Sequence, residues 1–264
     1  MECQHVLFNK QEGIATLTLN RPERMNAYTN ELGEEFLSVL KQVKEDNRIK
    51  VLIVTGAGRG FCAGVDLQEA NQAIEHRKNG NTEWHDRLIR WITTAPKLMI
   101  DLNKPIIAAI NGPAIGLGCT ISLACDIRIA SETARLALSF GRVSLVPEFG
   151  STFILPRIVG LSKAIELIFT NKVLNAVEAK DAGLVNEVVP AEKLMEIVSE
   201  RASMLAQSSS LAISLAKQGL YNGAKGDIDS QLWWEGQALQ ACFESTDHVE
   251  GVRAFLEKRE PQFQ

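Results

Sequence analysis

The 264-residue chain has few of the residues from which metal centres and disulfide frameworks are built. Its five cysteines show neither ligand spacing nor even pairing, and its four histidines lie outside the glycine-rich segments described below. We therefore expect free thiols in a reducing compartment and no metal site. A nucleophile relay that depends on histidine has little support, which leaves carboxylates as the candidates for acid–base chemistry.

Long apolar runs and an excess of basic charge are also missing. No apolar segment approaches the length that spans a bilayer, and a net charge of −4 with a pI near 5.7 argues against a polyanion-binding surface. The first residues lack a basic and then apolar leader, and the last three lack a peroxisomal signal. We expect a soluble cytoplasmic protein, with no membrane and no nucleic acid as partner.

Glycine is concentrated after an apolar strand that is predicted over residues 105–110. The segment that follows reads Asn111-Gly112-Pro113-Ala114-Ile115-Gly116-Leu117-Gly118 and leads into a predicted helix over residues 115–124. Because Gly116 and Gly118 lack side chains, amides in the first helical turn are free to donate to negative charge. Close packing of the strand against the helix would explain the same glycines.

A second glycine cluster follows a predicted strand over residues 51–55. It reads Gly56-Ala57-Gly58-Arg59-Gly60-Phe61-Cys62-Ala63-Gly64-Val65-Asp66-Leu67. Neither cluster has the third glycine of a dinucleotide motif or the Lys-Ser/Thr pair of a phosphate loop. Ligands of open α/β sheets bind beyond the carboxyl ends of the strands, so two neighbouring strands would bring two backbone amides to one oxygen. Such an oxyanion hole stabilises charge that develops on a carbonyl.

The remaining periodicity predicts an α/β core followed by helices. A hairpin is predicted over residues 5–10 and 14–20, and Thr29 is the predicted cap of a helix that ends near residue 47. That helix carries Leu32, Phe36, Leu40 and Val43 on one face. Residues 68–83 are irregular in sequence. Further predictions are a helix over 84–102, strands over 126–130, 135–139 and 184–188, and a helical segment from 191 onward with a break at 221–224.

Glu148 is the best acid–base candidate. It lies in a turn that leads into an apolar helix, close in sequence to Leu145, Val146, Phe149 and Phe153. A carboxylate surrounded by such side chains would lose hydration, which raises its pKa toward the range useful for a base. The alternative interpretation is a glutamate that merely stabilises the start of a helix.

Several segments, in this order, resemble the crotonase (enoyl-CoA hydratase/isomerase) superfamily along nearly the whole chain. They are residues 19–27 (LNRPERMNA), 60–67 (GFCAGVDL), 104–112 (KPIIAAING), 124–130 (ACDIRIA), 176–189 (AVEAKDAGLVNEVV) and 250–259 (EGVRAFLEKR). The resemblance implies a spiral of ββα units over residues 1–190 and a helical C-terminal region for oligomerisation over residues 191–264. It also implies an acyl-CoA substrate and a homotrimer or dimer of trimers. The apolar residues Val249, Val252, Phe255 and Leu256 would be buried by such assembly or by folding back on their own subunit.

The resemblance also favours one reaction. Hydratases of this superfamily use two glutamates, and the matching positions here are Thr120 and Phe140, neither of which is a base. In Δ3,Δ2-enoyl-CoA isomerases one glutamate follows a proline, as Glu148 follows Pro147. The implied mechanism uses Glu148 to move a proton between two carbons while the amides of Val65 and Leu117 hold the thioester oxygen. No cofactor is required, because the substrate carries coenzyme A.

Eight positions match the family's CoA contacts. They are Arg24, Met25, Ala27, Ala63, Asp66, Leu67, Phe255 and Lys258, the last two of which would reach the CoA of a neighbouring subunit. Each also has an ordinary interpretation, such as a solvated arginine or a core phenylalanine. Two rival functions stay open. One is hydration or thioester hydrolysis with Asp66, Glu69 or Glu132 as the base, and the other is acyl-CoA binding without turnover.

Overall fold

The computed structural model describes residues 4–263, which form an α/β fold with nine strands. The strands are β1 (Val6–Gln11), β2 (Ile14–Leu19), β3 (Val51–Gly56), β4 (Ile106–Ile110), β5 (Ala114–Ile115), β6 (Ile127–Ser131), β7 (Arg135–Ala137), β8 (Val173–Asn175) and β9 (Glu187–Val189). A six-stranded sheet has the order β1-β2-β3-β4-β6-β9, and a three-stranded sheet has the order β5-β7-β8.

The predicted hairpin is confirmed, with Val6 opposite Leu19 and Gln11 opposite Ile14 in an antiparallel pair. From β2 to β9 the neighbours in the large sheet run parallel. The carboxyl ends of β3 and β4 therefore lie side by side, as the two glycine clusters require.

Eleven α-helices lie within the described residues. They are α1 (Asn30–Glu45), α2 (Leu67–Lys78), α3 (Glu83–Ile100), α4 (Leu117–Leu123), α5 (Ser151–Val159), α6 (Leu161–Thr170), α7 (Ala176–Asp181), α8 (Leu194–Ala206), α9 (Ser210–Gly223), α10 (Ile228–Phe243) and α11 (Thr246–Glu257). Short 3₁₀ helices cover Pro22–Arg24, Ser139–Val143 and Ala191–Lys193. Within residues 4–263, none of the helices has the length and hydropathy of a transmembrane span.

Alternation along the strands divides the core between the two faces of the large sheet. In β3, Leu52 and Val54 pack with α1, α3 and α4, whereas Val51 and Ile53 face α8. The predicted apolar face of α1 is buried, and Thr29 caps this helix by accepting a hydrogen bond from the Leu32 amide. Because both faces are covered, the central strands β3 and β4 consist mainly of apolar residues, which is why they stand out in the sequence.

Several boundaries differ from the predictions. The strand predicted over residues 184–188 covers Glu187–Val189, and α9 continues to Gly223, so the helix break predicted at 221–224 lies between residues 224 and 227. The helix predicted from residue 115 begins at Leu117, because Ala114 and Ile115 pair with Leu136 and Ala137 as a short strand. The strand predicted over residues 135–139 ends at Ala137, where a 3₁₀ helix follows. The irregular stretch 68–83 contains most of α2, which Asp66 caps through the amides of Gln68 and Glu69.

Candidate active site

The two glycine-rich loops lie against each other beyond the ends of β3 and β4. The Ile115 amide donates to the Cys62 carbonyl at 2.9 Å, and the Cys62 amide donates to the Pro113 carbonyl at 3.1 Å. Residues 62 and 114 form a parallel bridge outside the main strands. The predicted meeting of the two loops is therefore present.

The backbone at Val65 and Leu117 fits the predicted oxyanion hole. A Cβ placed on Gly64, whose φ is +96°, would stand 3.8 Å from the Leu117 nitrogen, so the residue 64–65 backbone adjoins the start of α4. No acceptor within residues 4–263 bonds to the amide N–H of Val65 or of Leu117. Both amides are thus available to a ligand oxygen, although their role in binding one stays a prediction.

Asparagine side chains hold the first loop in place. The Asn26 amide group donates to the carbonyls of Ala57 and Gly60 at 2.9 and 2.8 Å. The Asn111 amide group donates to the carbonyls of Gly56, Gly58 and Gly60 at 2.9–3.2 Å. These side chains donate to carbonyls of the loop that no neighbouring strand pairs with, and they therefore stabilise its conformation. Sequence reasoning assigned them no role, although both asparagines lie in the segments that carry the family resemblance.

Glu148 lies just before α5, and its carboxyl contacts α4 at Thr120. Its Oε1 accepts a hydrogen bond from the Thr120 hydroxyl at 3.0 Å, whereas its Oε2 is buried and has no partner within residues 4–263. Burial raises the pKa of Glu148 from 4.5 to about 7, and the hydrogen bond from Thr120 opposes part of that rise. A carboxyl group with such a pKa exchanges a proton readily near neutral pH.

The expected cause of this pKa is correct, but three of the four expected neighbours are exposed. Leu145, Val146 and Phe153 are 59%, 77% and 36% exposed, and the Phe153 ring packs against the Arg157 guanidinium. Phe149 is the buried member of the four, and it packs on the Trp91 ring at a centroid distance of 4.9 Å. The thiols of Cys62 and Cys119 also interact with the Glu148 charge, and both are fully buried.

The two positions predicted to match hydratase glutamates are both interior. Thr120 is fully buried on α4, and Phe140 is 6% exposed in the 3₁₀ helix after β7. Neither side chain can remove a proton. Within residues 4–263 no group of three or more His, Cys, Asp or Glu side chains could hold a metal ion, and Cys62, Cys119, Cys125 and Cys242 are free thiols. Cys3 lies outside the described residues.

The predicted CoA positions of the first half of the chain cluster beside the two loops. The Ala63 amide donates to the Met25 carbonyl at 2.9 Å, which joins the residue 24–27 turn to the second loop. Arg24, Ala63 and Leu67 are exposed and Met25 is half-buried, whereas Ala27 and Asp66 are buried. The Ala27 carbonyl already accepts a hydrogen bond from Arg21 at 2.6 Å. Assignment of these residues to CoA stays a prediction.

Phe255 and Lys258 lie at the end of α11, which packs against α10. Phe255 is 84% exposed, and Lys258 has a φ of +56° where the helix ends. Their contact with the CoA of a neighbouring subunit stays a prediction.

The alternative carboxylates have other partners or lie on the surface. Asp66 caps α2 and pairs with Arg21 at 3.1 Å. Burial alone would raise the pKa of Asp66, but hydrogen bonds from Gln68 and Arg21 outweigh burial and hold it below its usual value. Glu69 accepts a hydrogen bond from the Trp84 indole at 3.2 Å, and Glu132 is exposed in the turn after β6. Glu148 is therefore the strongest candidate base.

An α/β core, a C-terminal helical region and two converging glycine loops define the crotonase superfamily of acyl-CoA enzymes. The family model for enoyl-CoA hydratase/isomerase matches residues 9–264, and the chain belongs to that family.

Relatives cover nearly the whole chain. The 1,2-epoxyphenylacetyl-CoA isomerase of Escherichia coli is 36% identical over 98% of both chains. The short-chain-enoyl-CoA hydratase of Clostridium acetobutylicum is 37% identical over 98% of this chain and 97% of its own. The crystal structure of an enoyl-CoA hydratase from Bacillus anthracis, 38% identical, superimposes with a TM-score of 0.91 over 98% of this chain and 99% of its own. The family thus contains both isomerases and hydratases.

Proposed function

We propose that the protein is an isomerase that converts 3-enoyl-CoA to 2-enoyl-CoA with Glu148 as its one acid–base group. The observation that carries the proposal is the contrast between Glu148, whose carboxyl has a buried Oε2 and a pKa of about 7, and Thr120 and Phe140, which match the hydratase glutamate positions. Addition of water across a double bond in the hydratase manner needs those two carboxylates, whereas a double-bond shift needs one.

The geometry supports a two-step proton transfer. The amides of Val65 and Leu117 would hold the thioester oxygen, which makes the α-proton of a 3-enoyl-CoA more acidic. Glu148 would take that proton from C2 and leave a dienolate whose negative oxygen is bound by the two amides, each worth on the order of 3 kcal/mol. Glu148 then returns the proton to C4, and the double bond moves into conjugation with the thioester.

A single base suffices because C2 and C4 can lie on the same face of the planar dienolate. Burial of Glu148 is what makes it suitable for both steps, since a carboxyl with a pKa near 7 is neither too weak a base nor too weak an acid at neutral pH.

Hydration is the second candidate function, since the relative from Clostridium acetobutylicum is named a short-chain-enoyl-CoA hydratase. A direct comparison tests the proposal. Purified protein is given 3-enoyl-CoA or 2-enoyl-CoA of the same chain length, and the ultraviolet absorbance of the conjugated thioester is followed. Isomerisation raises that absorbance, whereas hydration lowers it.

We expect kcat/KM for isomerisation to exceed that for hydration at every chain length at which either reaction is detectable. Equal or faster hydration would overturn the proposal. Binding of both substrates with neither reaction would point to the acyl-CoA-binding alternative.

A further inference from the structure

The Thr120 hydroxyl lies between two acceptors. Its Oγ1 is 3.0 Å from the Leu117 carbonyl oxygen and 3.0 Å from Glu148 Oε1. A hydroxyl carries one proton, so it donates to one of these oxygens at a time. The two acceptors belong to different parts of the site, because Leu117 supplies a predicted oxyanion amide and Glu148 is the predicted base.

We propose that Thr120 is a positioning residue that holds Oε1 of the ionised Glu148 and so leaves Oε2 as the oxygen that carries the substrate proton. This inference depends on the proposed role of Glu148 as the base. It gives different tasks to two oxygens that are chemically alike, and the structure already distinguishes them, because Oε2 is the one without a partner in the described chain.

Because there is a second acceptor, the Thr120 hydroxyl can change its hydrogen-bond partner when Glu148 gains or loses its proton. While Glu148 is ionised, Oε1 is a stronger acceptor than the Leu117 carbonyl, because hydrogen bonds to charged groups are stronger than those to neutral groups. Once Oε2 has taken the proton from C2, Oε1 becomes the carbonyl oxygen of a neutral acid. The hydroxyl can then turn to the Leu117 carbonyl at the same distance. The basic form gains a charge-assisted bond, and the acidic form leaves no buried hydroxyl unpaired.

Within residues 4–263, Thr120 is the side chain that hydrogen-bonds to the Glu148 carboxyl, and no charged side chain shifts the pKa of that carboxyl. Burial and the Thr120 hydrogen bond are the two influences on the pKa of Glu148 within residues 4–263. The ionisable groups that interact with its charge are the thiols of Cys62 and Cys119, whose pKa burial raises to about 12, so that both stay neutral. Phe149, the residue after Glu148, packs on the uncharged Trp91 ring of α3.

The matched control lies two residues further along the same helix. Ser122 is fully buried, and its hydroxyl donates to the Cys119 carbonyl at 2.7 Å, the same backward bond that Thr120 makes to Leu117. Ser122→Ala therefore removes a buried helical hydroxyl without touching Glu148. Thr120→Val keeps the side-chain shape and removes the donor, Thr120→Ala is a second variant without it, and Thr120→Ser restores the hydroxyl.

The experiment measures the pKa of Glu148 in ligand-free protein by infrared difference spectroscopy, with Glu148→Gln identifying the carboxyl band. We expect Thr120→Val and Thr120→Ala to raise that pKa by about one unit, while Thr120→Ser and Ser122→Ala leave it within about 0.3 of the parent. In kinetics, kcat/KM at pH 6 should fall about tenfold in Thr120→Val and recover at pH 9.

Two results would overturn the inference. One is an unchanged pKa in both variants that lack the hydroxyl, and the other is a shift in Ser122→Ala as large as that in Thr120→Val. The spectroscopic titration needs no substrate, so it is independent of which reaction the protein catalyses. A hydratase result in the assay described above would refute the isomerase proposal and leave this titration to be judged separately.

Discussion

Gly118 lies directly against the backbone of Cys62. A Cβ on Gly118 would stand 2.0 Å from the Cys62 carbonyl oxygen, far inside any permitted contact. The absence of a side chain thus allows the first turn of α4 to touch the loop after β3. The two interpretations of this glycine cluster, close packing and free amides, are therefore parts of one arrangement, because the packing brings the amides of Leu117 and Val65 near each other.

Gly118→Ala should separate the two loops. Because the Cys62 carbonyl is backbone, the chain itself must shift, and we expect a loss of about 1–3 kcal/mol in the free energy of unfolding and at least about a tenfold loss in kcat/KM. Gly236→Ala is the control, since Gly236 lies in exposed α10 with no atom near the new Cβ. It should be neutral or stabilising by up to about 1 kcal/mol. Urea unfolding measures the stability of both variants, and steady-state kinetics measures their activity. Equal effects of Gly118→Ala and Gly236→Ala would contradict the prediction.

Glu148→Gln should lower kcat by at least about a hundredfold, the usual scale for loss of a general base. Glu69→Gln is the control, because Glu69 is a half-buried carboxylate that was an alternative base, and it should keep most of the activity. Steady-state assays with 3-enoyl-CoA measure both. Retained activity in Glu148→Gln would place the base elsewhere.

The same variant should be more stable than the parent at pH 8. The pKa of Glu148 is about 7 in the folded protein against an ordinary value of 4.5, so the folded state binds the proton more tightly. Stability contributed by this group is present below pH 4.5 and is lost as pH rises to 7. Glu148→Gln carries no charge and escapes that loss, which amounts to about 3 kcal/mol at pH 8 and vanishes at pH 4. Urea unfolding at the two pH values checks this, and a variant less stable than the parent at pH 8 would disprove it.

The pH dependence of kcat/KM should show an acid limb with a midpoint near pH 7. Glu148 must be ionised to accept a proton, so activity falls about tenfold for each unit below its pKa and levels off above it. Glu69→Gln should leave the midpoint in place. A midpoint near 4.5 would mean that burial of Glu148 does not persist in solution.

Lys217→Met should destabilise the fold through a contact far from the active site. Lys217 is 8% exposed and donates to the carbonyls of Met99 and Lys104 and to Asp126, at 3.0, 3.0 and 2.8 Å. Its loss leaves a half-buried carboxylate without its cation, and we expect a cost of about 3–5 kcal/mol. Lys193→Met, in an exposed pair with Glu196, should cost less than about 1 kcal/mol. Urea titrations at one protein concentration compare them, and similar midpoints would refute the prediction.

Removal of the chain from His248 onward should weaken both assembly and CoA binding. In the described chain Val249, Val252, Phe255 and Leu256 are 48–84% exposed on α11, and a trimer or dimer of trimers would bury them. Leu7→Ser, which removes a 50% exposed apolar side chain from β1, should change neither property. Light scattering gives the mass and calorimetry gives the CoA affinity. A full-length mass of 29.0 kDa, that of one chain, would rule this prediction out.

Local sequence patterns predicted the secondary structure correctly wherever the surroundings of a segment are uniform. The parallel strands β3 and β4 are buried on both faces, so their apolar runs predict them without further information. The cap at Thr29 and the hairpin of β1 and β2 are decided by neighbours in sequence, and both are confirmed. The meeting of the two glycine loops followed from the rule for carboxyl ends of parallel strands.

Contacts between residues that are far apart in the chain could not be predicted from the sequence. The bonds from Thr120 to Glu148 and from Lys217 to Asp126 join residues 28 and 91 positions apart, and no periodicity encodes such pairs. The exposure of Leu145 and Val146 has the same origin, since apolar character does not say on which side of a turn the core lies.

The α/β order of elements, the two loops with bare amides and the choice of Glu148 as the candidate base could all be predicted from the amino-acid sequence. The tertiary structure was needed to learn which atoms surround Glu148, that one of its oxygens is held and the other has no partner within residues 4–263, and that α4 begins two residues late. The physical reason is that hydrophobic periodicity reports a segment's average surroundings, whereas a pKa and a hydrogen bond depend on single atoms brought together by the whole fold.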